Sequence, residues 1–127
     1  MGQEGIAIPI QNKAHPEAKQ MIDESEVEKA VDWLRDNSNI AAQDRANRIY
    51  LEEYRKSLKA MIMKEHTDLP VSAQEREAYA DHRYQTHLRA MKDAVAKDEY
   101  NRFMRHSAEA KIEAWRSLSA NHRAIKL

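Results

Sequence analysis

The sequence predicts an all-α protein: a long antiparallel helical hairpin with a short N-terminal helix, built to oligomerise. Three observations predict it. Residues 39–67 contain neither Gly nor Pro and are rich in Ala, Leu, Arg, Lys and Glu, which lose little side-chain entropy in a helix. Those five residue types make up close to half of the 127-residue chain, against only two Gly and three Pro. Leu, Ile, Val and Phe number only 21 together, a thin core for one copy, and thin cores are usually completed by association. So low an apolar fraction accompanies disorder when net charge is high, but here the net charge is zero.

The chain divides into an arm, 1–23, and one helical domain, 24–127. The arm holds both glycines and two of the prolines, has no sustained periodicity, and is expected to be flexible. Its alternating Ile6, Ile8 and Ile10 also suit an extended strand added to a partner. Ser25 and Glu28 form a capping box, and Val27, Ala30, Val31 and Leu34 give one apolar face, so a short helix is expected over 24–36. Asn37-Ser38-Asn39 supplies a break and a new cap. A long helix then runs to about residue 67, with a stripe of Ile40, Ala46, Tyr50, Tyr54, Leu58 and Met61/Ile62.

Asp68-Leu69-Pro70 ends that helix. Ser72 and Glu75 form a second capping box for a short helix over 73–80, and Asp81 caps the next start. From Tyr84 the stripe continues through Leu88, Met91, Val95, Phe103, Ile112, Trp115 and Leu118. Asp98 and Glu99 fall where apolar residues are due. They mark a break, an exposed bulge, or a polar pair that fixes register. The short link lets the two long helices fold back on each other.

Composition excludes several classes. There is no Cys, so neither disulfides nor cysteine zinc sites are available. No signal pattern and no apolar run of membrane-spanning length occurs, so a cytoplasmic location is expected, in the host cytoplasm if the chain is phage-encoded. No nucleotide-binding, zinc-protease or serine-hydrolase motif is present, and no two of the six His lie four apart. The expected protein is not an enzyme and needs no cofactor or metal. The zero net charge hides an asymmetry: residues 1–40 carry net −4 and residues 101–127 net +4, which points to self-association or an anionic partner.

The candidate nucleic-acid-binding residues are Arg48, Arg55, Lys56, Lys59 and Lys64, on the polar side of the long helix. Cations follow phosphates, and aromatic rings stack on bases. Tyr50 and Tyr54 lie beside these cations in sequence but at core spacing. One copy offers few phosphate contacts; a ring of copies would multiply them.

Trp33-Leu34, then Ser38 and Ile40, then a long helix reaching Leu58-Lys59-Ala60, resembles the UvsY family of phage recombination mediators. Tyr79-Ala80-Asp81 before a second long helix, and Ala124-Ile125-Lys126 at its end, extend the resemblance over residues 27–127. It implies a small all-helical protein that assembles into rings and binds single-stranded DNA. Such a protein contacts the recombinase and the single-strand binding protein, and helps load one in place of the other. Lys59 matches the family's basic position; Met61 stands where the family has Arg, and the segment from Ile40 to Leu58 is about three residues longer here. Arg55 and Lys56, one turn earlier, are placed to substitute. The competing reading is a non-catalytic coiled-coil adaptor, or a regulatory phage protein, that binds a protein partner. The zero net charge favours it.

Overall fold

A computed structural model describes residues 22–126, and every element among them is helical. Helix α1 spans Glu24–Met63 and ends in a 3-10 turn, Lys64–His66; α2 spans Val71–Ala80; α3 spans His82–Lys126. The expected arm lies outside the described residues except for Ile22 and Asp23. At 1.5 Å per residue, α1 and α3 are rods of about 60 and 68 Å.

The start of α1 differs from the expected capping box. Asp23, not Ser25, is the N-cap, and its carboxylate accepts from the Glu26 N–H at 2.9 Å. Glu24 and Glu26 add negative charge to the first turn, where the helix dipole favours it. The expected break at Asn37-Ser38-Asn39 does not occur, so there is no separate short N-terminal helix. Asn37 Nδ2 donates to the Trp33 carbonyl and Ser38 Oγ to the Arg35 carbonyl, both at 3.1 Å. Their side chains fold back onto the preceding turn instead of capping a new one, so the backbone ladder continues through them.

Pro70, in extended conformation (φ −62°, ψ 157°), starts α2 without a side-chain cap. The second expected capping box is absent: the helix starts at Val71 rather than 73, which puts Ser72 inside it, and Glu75 is turned to α1, where its carboxylate accepts from Lys59 Nζ at 2.9 Å. Asp81 alone separates α2 from α3. It is extended (φ −66°, ψ 140°) and its Oδ1 accepts from the Arg83 N–H at 2.8 Å, the capping role read from the sequence. The Arg83 guanidinium reaches both Glu65 oxygens, at 2.9 and 2.8 Å, and ties the joint to the end of α1.

Most long-range contacts join α1 to α3. Residues early in α1 meet residues late in α3: Glu26 approaches Lys111 (3.6 Å), Asp44 accepts from Asn101 (2.8 Å) and Arg48 donates to Asp98 (3.0 Å). The facing residues of α1 recur alternately three and four apart from Val27 to Ile62, and each is buried or half-buried. That three-four spacing keeps one face of α1 turned towards α3 along its length, a seam between the two helices. Its ends are mostly apolar, with Val27, Ala30 and Leu34 at one end and Leu51, Leu58 and Ile62 at the other, where half-buried Arg55 is the exception. Its middle is polar: Asn37, Asp44 and Arg48 face Asp98 and Asn101. Asp98 and Glu99 therefore neither break α3 nor bulge from it; Asp98 is buried and held by Arg48. The tightest packing joins all three helices, where Ile62, Ala78 and Tyr84 meet beside Leu58 and Met63.

The expected apolar stripes follow this seam only in part. Ile40 (56 % exposed), Ala46 and Tyr50 point outwards, whereas Leu58 and Ile62 are in the seam. A stripe stepping by four residues advances about 40° per step around a helix of 3.6 residues per turn. It therefore starts on the far side at Ala46 and turns into the seam by Leu58 and Ile62. In α3, Phe103 and Leu118 are likewise exposed.

Candidate nucleic-acid interface

The five candidate cations occupy different environments. Arg48 and Arg55 do not lie on the polar side; both are half-buried at seam positions, and Arg48 is bonded to Glu52 (3.1 Å), Asp98 (3.0 Å) and Glu99 (3.2 Å). Its guanidinium is held above the usual arginine range by those carboxylates, Glu52 first and Asp98 next. An arginine so matched has little left to offer a phosphate. Lys64 is exposed in the 3-10 turn after α1, away from Arg48.

Arg55, Lys56 and Lys59 are brought together, and the aromatic partner is one the sequence did not single out. They line an open cleft of about 450 Å³ with Tyr79 of α2 and Tyr84 of α3. The Lys59 ammonium lies 4.8 Å from the centre of the Tyr79 ring. The Tyr79 hydroxyl and the Glu75 carboxylate beside it hold the Lys59 ammonium above the ordinary lysine range. Lys56 pairs with Glu53 at 3.2 Å on the exposed surface, where an ion pair is weak and easily exchanged. Arg55 and Lys64 form no ion pair among the described residues.

Tyr50 and Tyr54 are neither deep core nor part of this cleft. Their rings stack on each other at 5.8 Å, and Tyr54 packs against His87 at 5.6 Å. The His87 Nε2 lies 2.7 Å from the Leu51 carbonyl oxygen, which fixes that ring against α1. Tyr54 and Lys56 are about 200° apart around the helix, so neighbours in sequence lie on opposite sides. The nearness of Tyr79 was not readable from α1, because the turn at Pro70 decides where α2 lies.

Of a second group of cations, the sequence singles out only Arg48. Arg45, Arg48, Arg102 and Arg105 surround a more enclosed cleft of about 390 Å³ between α1 and α3, with Trp33 at its edge. One signal was present in the sequence: Arg105 occupies a place in α3 where the three-four spacing calls for an apolar residue.

No helix among the described residues is long and apolar enough to cross a membrane. Comparison with protein-family models, curated proteins and solved structures finds no match to this chain.

Proposed function

We propose that the chain is a non-catalytic, single-stranded-DNA-binding protein that works as a homo-oligomer of antiparallel helical hairpins, in the role of a recombination mediator. In that role it helps a recombinase replace the single-strand binding protein on DNA. One observation carries the reading: Arg55, Lys56 and Lys59 share a cleft with the partly exposed ring of Tyr79. Cations beside an accessible aromatic ring are the pairing that a flexible single strand needs. The pairing of Glu26 with Lys111 and of Arg48 with Asp98 supports the hairpin.

Self-association is supported by what α3 leaves uncovered. Tyr100 and Phe103 are 62 % and 64 % exposed, on the side of α3 away from the seam. Ala96, Ala110 and Ala114 continue that face at three-four spacing, so it is uncharged where a lone surface helix usually carries charge. The acidic start of α1 and the basic end of α3 meet within one copy at Glu26 and Lys111, which absorbs part of the charge asymmetry internally.

The test is a titration of labelled single-stranded and duplex DNA at two salt concentrations, with native mass recorded on the same sample. Changing Arg55, Lys56 and Lys59 to Ala should abolish a salt-sensitive preference for the single strand while mass and helicity stay the same. Absence of strand binding at low salt by a folded oligomer refutes the reading. The adaptor reading has one observation in its favour: Arg48, Lys56 and Lys59 are each matched by a carboxylate of the same chain. It predicts a protein partner and no DNA affinity to lose.

A further inference from the structure

The seam between α1 and α3 is not filled along its whole length. Near its middle, the α1 wall of the cleft is built of short side chains, Ser38, Ala41 and Ala42. Arg105 holds a seam position, yet it is exposed, its charged head turned to solvent. The result is the cleft of about 390 Å³ at whose edge Trp33 stands half-buried. Ligand pockets begin at roughly 300 Å³, so there is room for one nucleotide-sized group.

The charges around this space do not cancel. Four arginines (45, 48, 102 and 105) face two carboxylates, Asp98 and Glu99. Both carboxylates are occupied: Arg48 bonds Asp98 and Glu99, and Arg102 bonds Glu99 at 3.0 Å. Arg45 and Arg105 are left without an ion pair among the described residues. The Trp33 ring, in turn, stacks on no aromatic ring among the described residues. Two uncommitted guanidinium groups and one uncommitted indole thus share a recess.

We propose that this cleft holds one nucleotide unit of a single strand, with its base against Trp33 and its phosphate between Arg45 and Arg105. The proposal rests on the single-strand reading above and extends the path of the strand. Arg45 and Lys56 are roughly three helical turns apart, so they fall on one side of α1 about 16 Å from each other. The Trp33 cleft is therefore in line with the cleft of Arg55, Lys56 and Lys59, and a strand lying along α1 reaches both. Arginine suits the phosphate position because its planar fork grips two oxygens, and indole suits the base because stacking tolerates any sequence.

The experiment uses the full chain with Trp115→Phe, which leaves Trp33 as its only tryptophan. Trp33 emission is followed as short oligothymidylate is added at low and at moderate salt, and separately as thymidine monophosphate is added. The expected result is loss of Trp33 emission on strand binding. In Arg45→Ala/Arg105→Ala, the slope of log affinity against log salt should become shallower by roughly 0.7, the value for one lost phosphate contact on a single strand. Arg45→Lys/Arg105→Lys should restore most of that slope. Both sites are exposed, and circular dichroism verifies that helicity is kept.

Strand binding with Trp33 emission unmoved, or with an unchanged salt slope in the Ala pair, overturns the proposal and leaves the Arg55–Lys59 reading standing. If the strand does not bind but the free mononucleotide still quenches Trp33 in an Arg45- and Arg105-dependent way, the cleft is a nucleotide site and the single-strand reading fails. Silence towards both probes overturns both.

Discussion

Replacing Ile62 with Ala should cost the fold about 3 kcal/mol, and replacing Ile40 with Ala should cost almost nothing. The two isoleucines lie in one helix and were assigned to one apolar stripe, so the pair tests the seam directly. Ile62 is fully buried where α1, α2 and α3 meet, against Ala78 and Tyr84. Truncation to Ala removes three carbons, worth about 2.4 kcal/mol at roughly 0.8 kcal/mol each. The remaining cavity adds more, because Tyr84 and Leu58 are held by three helices and can collapse only in part. Domains of this size are stable by on the order of 5–15 kcal/mol in total, so the loss is a large fraction. It corresponds to a melting temperature lower by roughly 10–15 °C. Ile40 is 56 % exposed, and its replacement trades a β-branched residue for the best helix former. Its melting temperature should stay within a few degrees of wild type. The assay is thermal melting by circular dichroism at two protein concentrations, since association also raises apparent stability. Equal shifts for both variants, or a drop confined to Ile40→Ala, would refute the three-four seam.

Three further outcomes are expected from the ion pairs. Arg48→Met should lower the melting temperature by leaving Asp98 unpaired in the seam, while Arg48→Met with Asp98→Leu should recover it; a single variant as stable as wild type counts against the buried pair. The Arg83 side chain and backbone N–H pull the Asp81 carboxyl down to about 2, and Arg83 also depresses Glu65, while Arg102 and then Arg48 depress Glu99. Stability from these groups is complete above their unfolded values near 4 and is lost as pH falls towards 2, so the melting temperature should decline over that window and decline less in Asp81→Asn. A melting temperature flat from pH 5 to 2 would contradict this. Because the chain has no native Cys, Glu26→Cys with Lys111→Cys should accept a short bis-maleimide bridge within one copy; bridging only between copies would overturn the register.

The sequence alone determined that the chain is helical, that a turn falls at Pro70 and that Asp81 caps the last long helix. Each depends on a local property: propensity, a missing N–H, or a short acceptor beside the first turn. Local signals misled where a side chain had two places to bond. Asn37 and Ser38 resemble a cap in sequence but bond backwards to the Trp33 and Arg35 carbonyls, and Ser72-Glu75 resembles a capping box, but Ser72 lies inside the helix and Lys59 takes the glutamate. The seam was obscured because its central residues are Asn37, Asp44, Arg48, Asp98 and Asn101, which a search for apolar periodicity passes over. Hydrophobicity marks a core only where burial is not achieved by pairing. The site divides in the same way. Arg55, Lys56 and Lys59 could be read as one cationic turn, because three neighbouring residues of one helix stay together in any fold. That Tyr79 completes their cleft, that Arg48 is spent on Asp98, and that Arg45 and Arg105 meet beside Trp33 were decided only when α2 and α3 packed against α1. Contacts between residues tens of positions apart depend on register, and register is set by the whole seam at once.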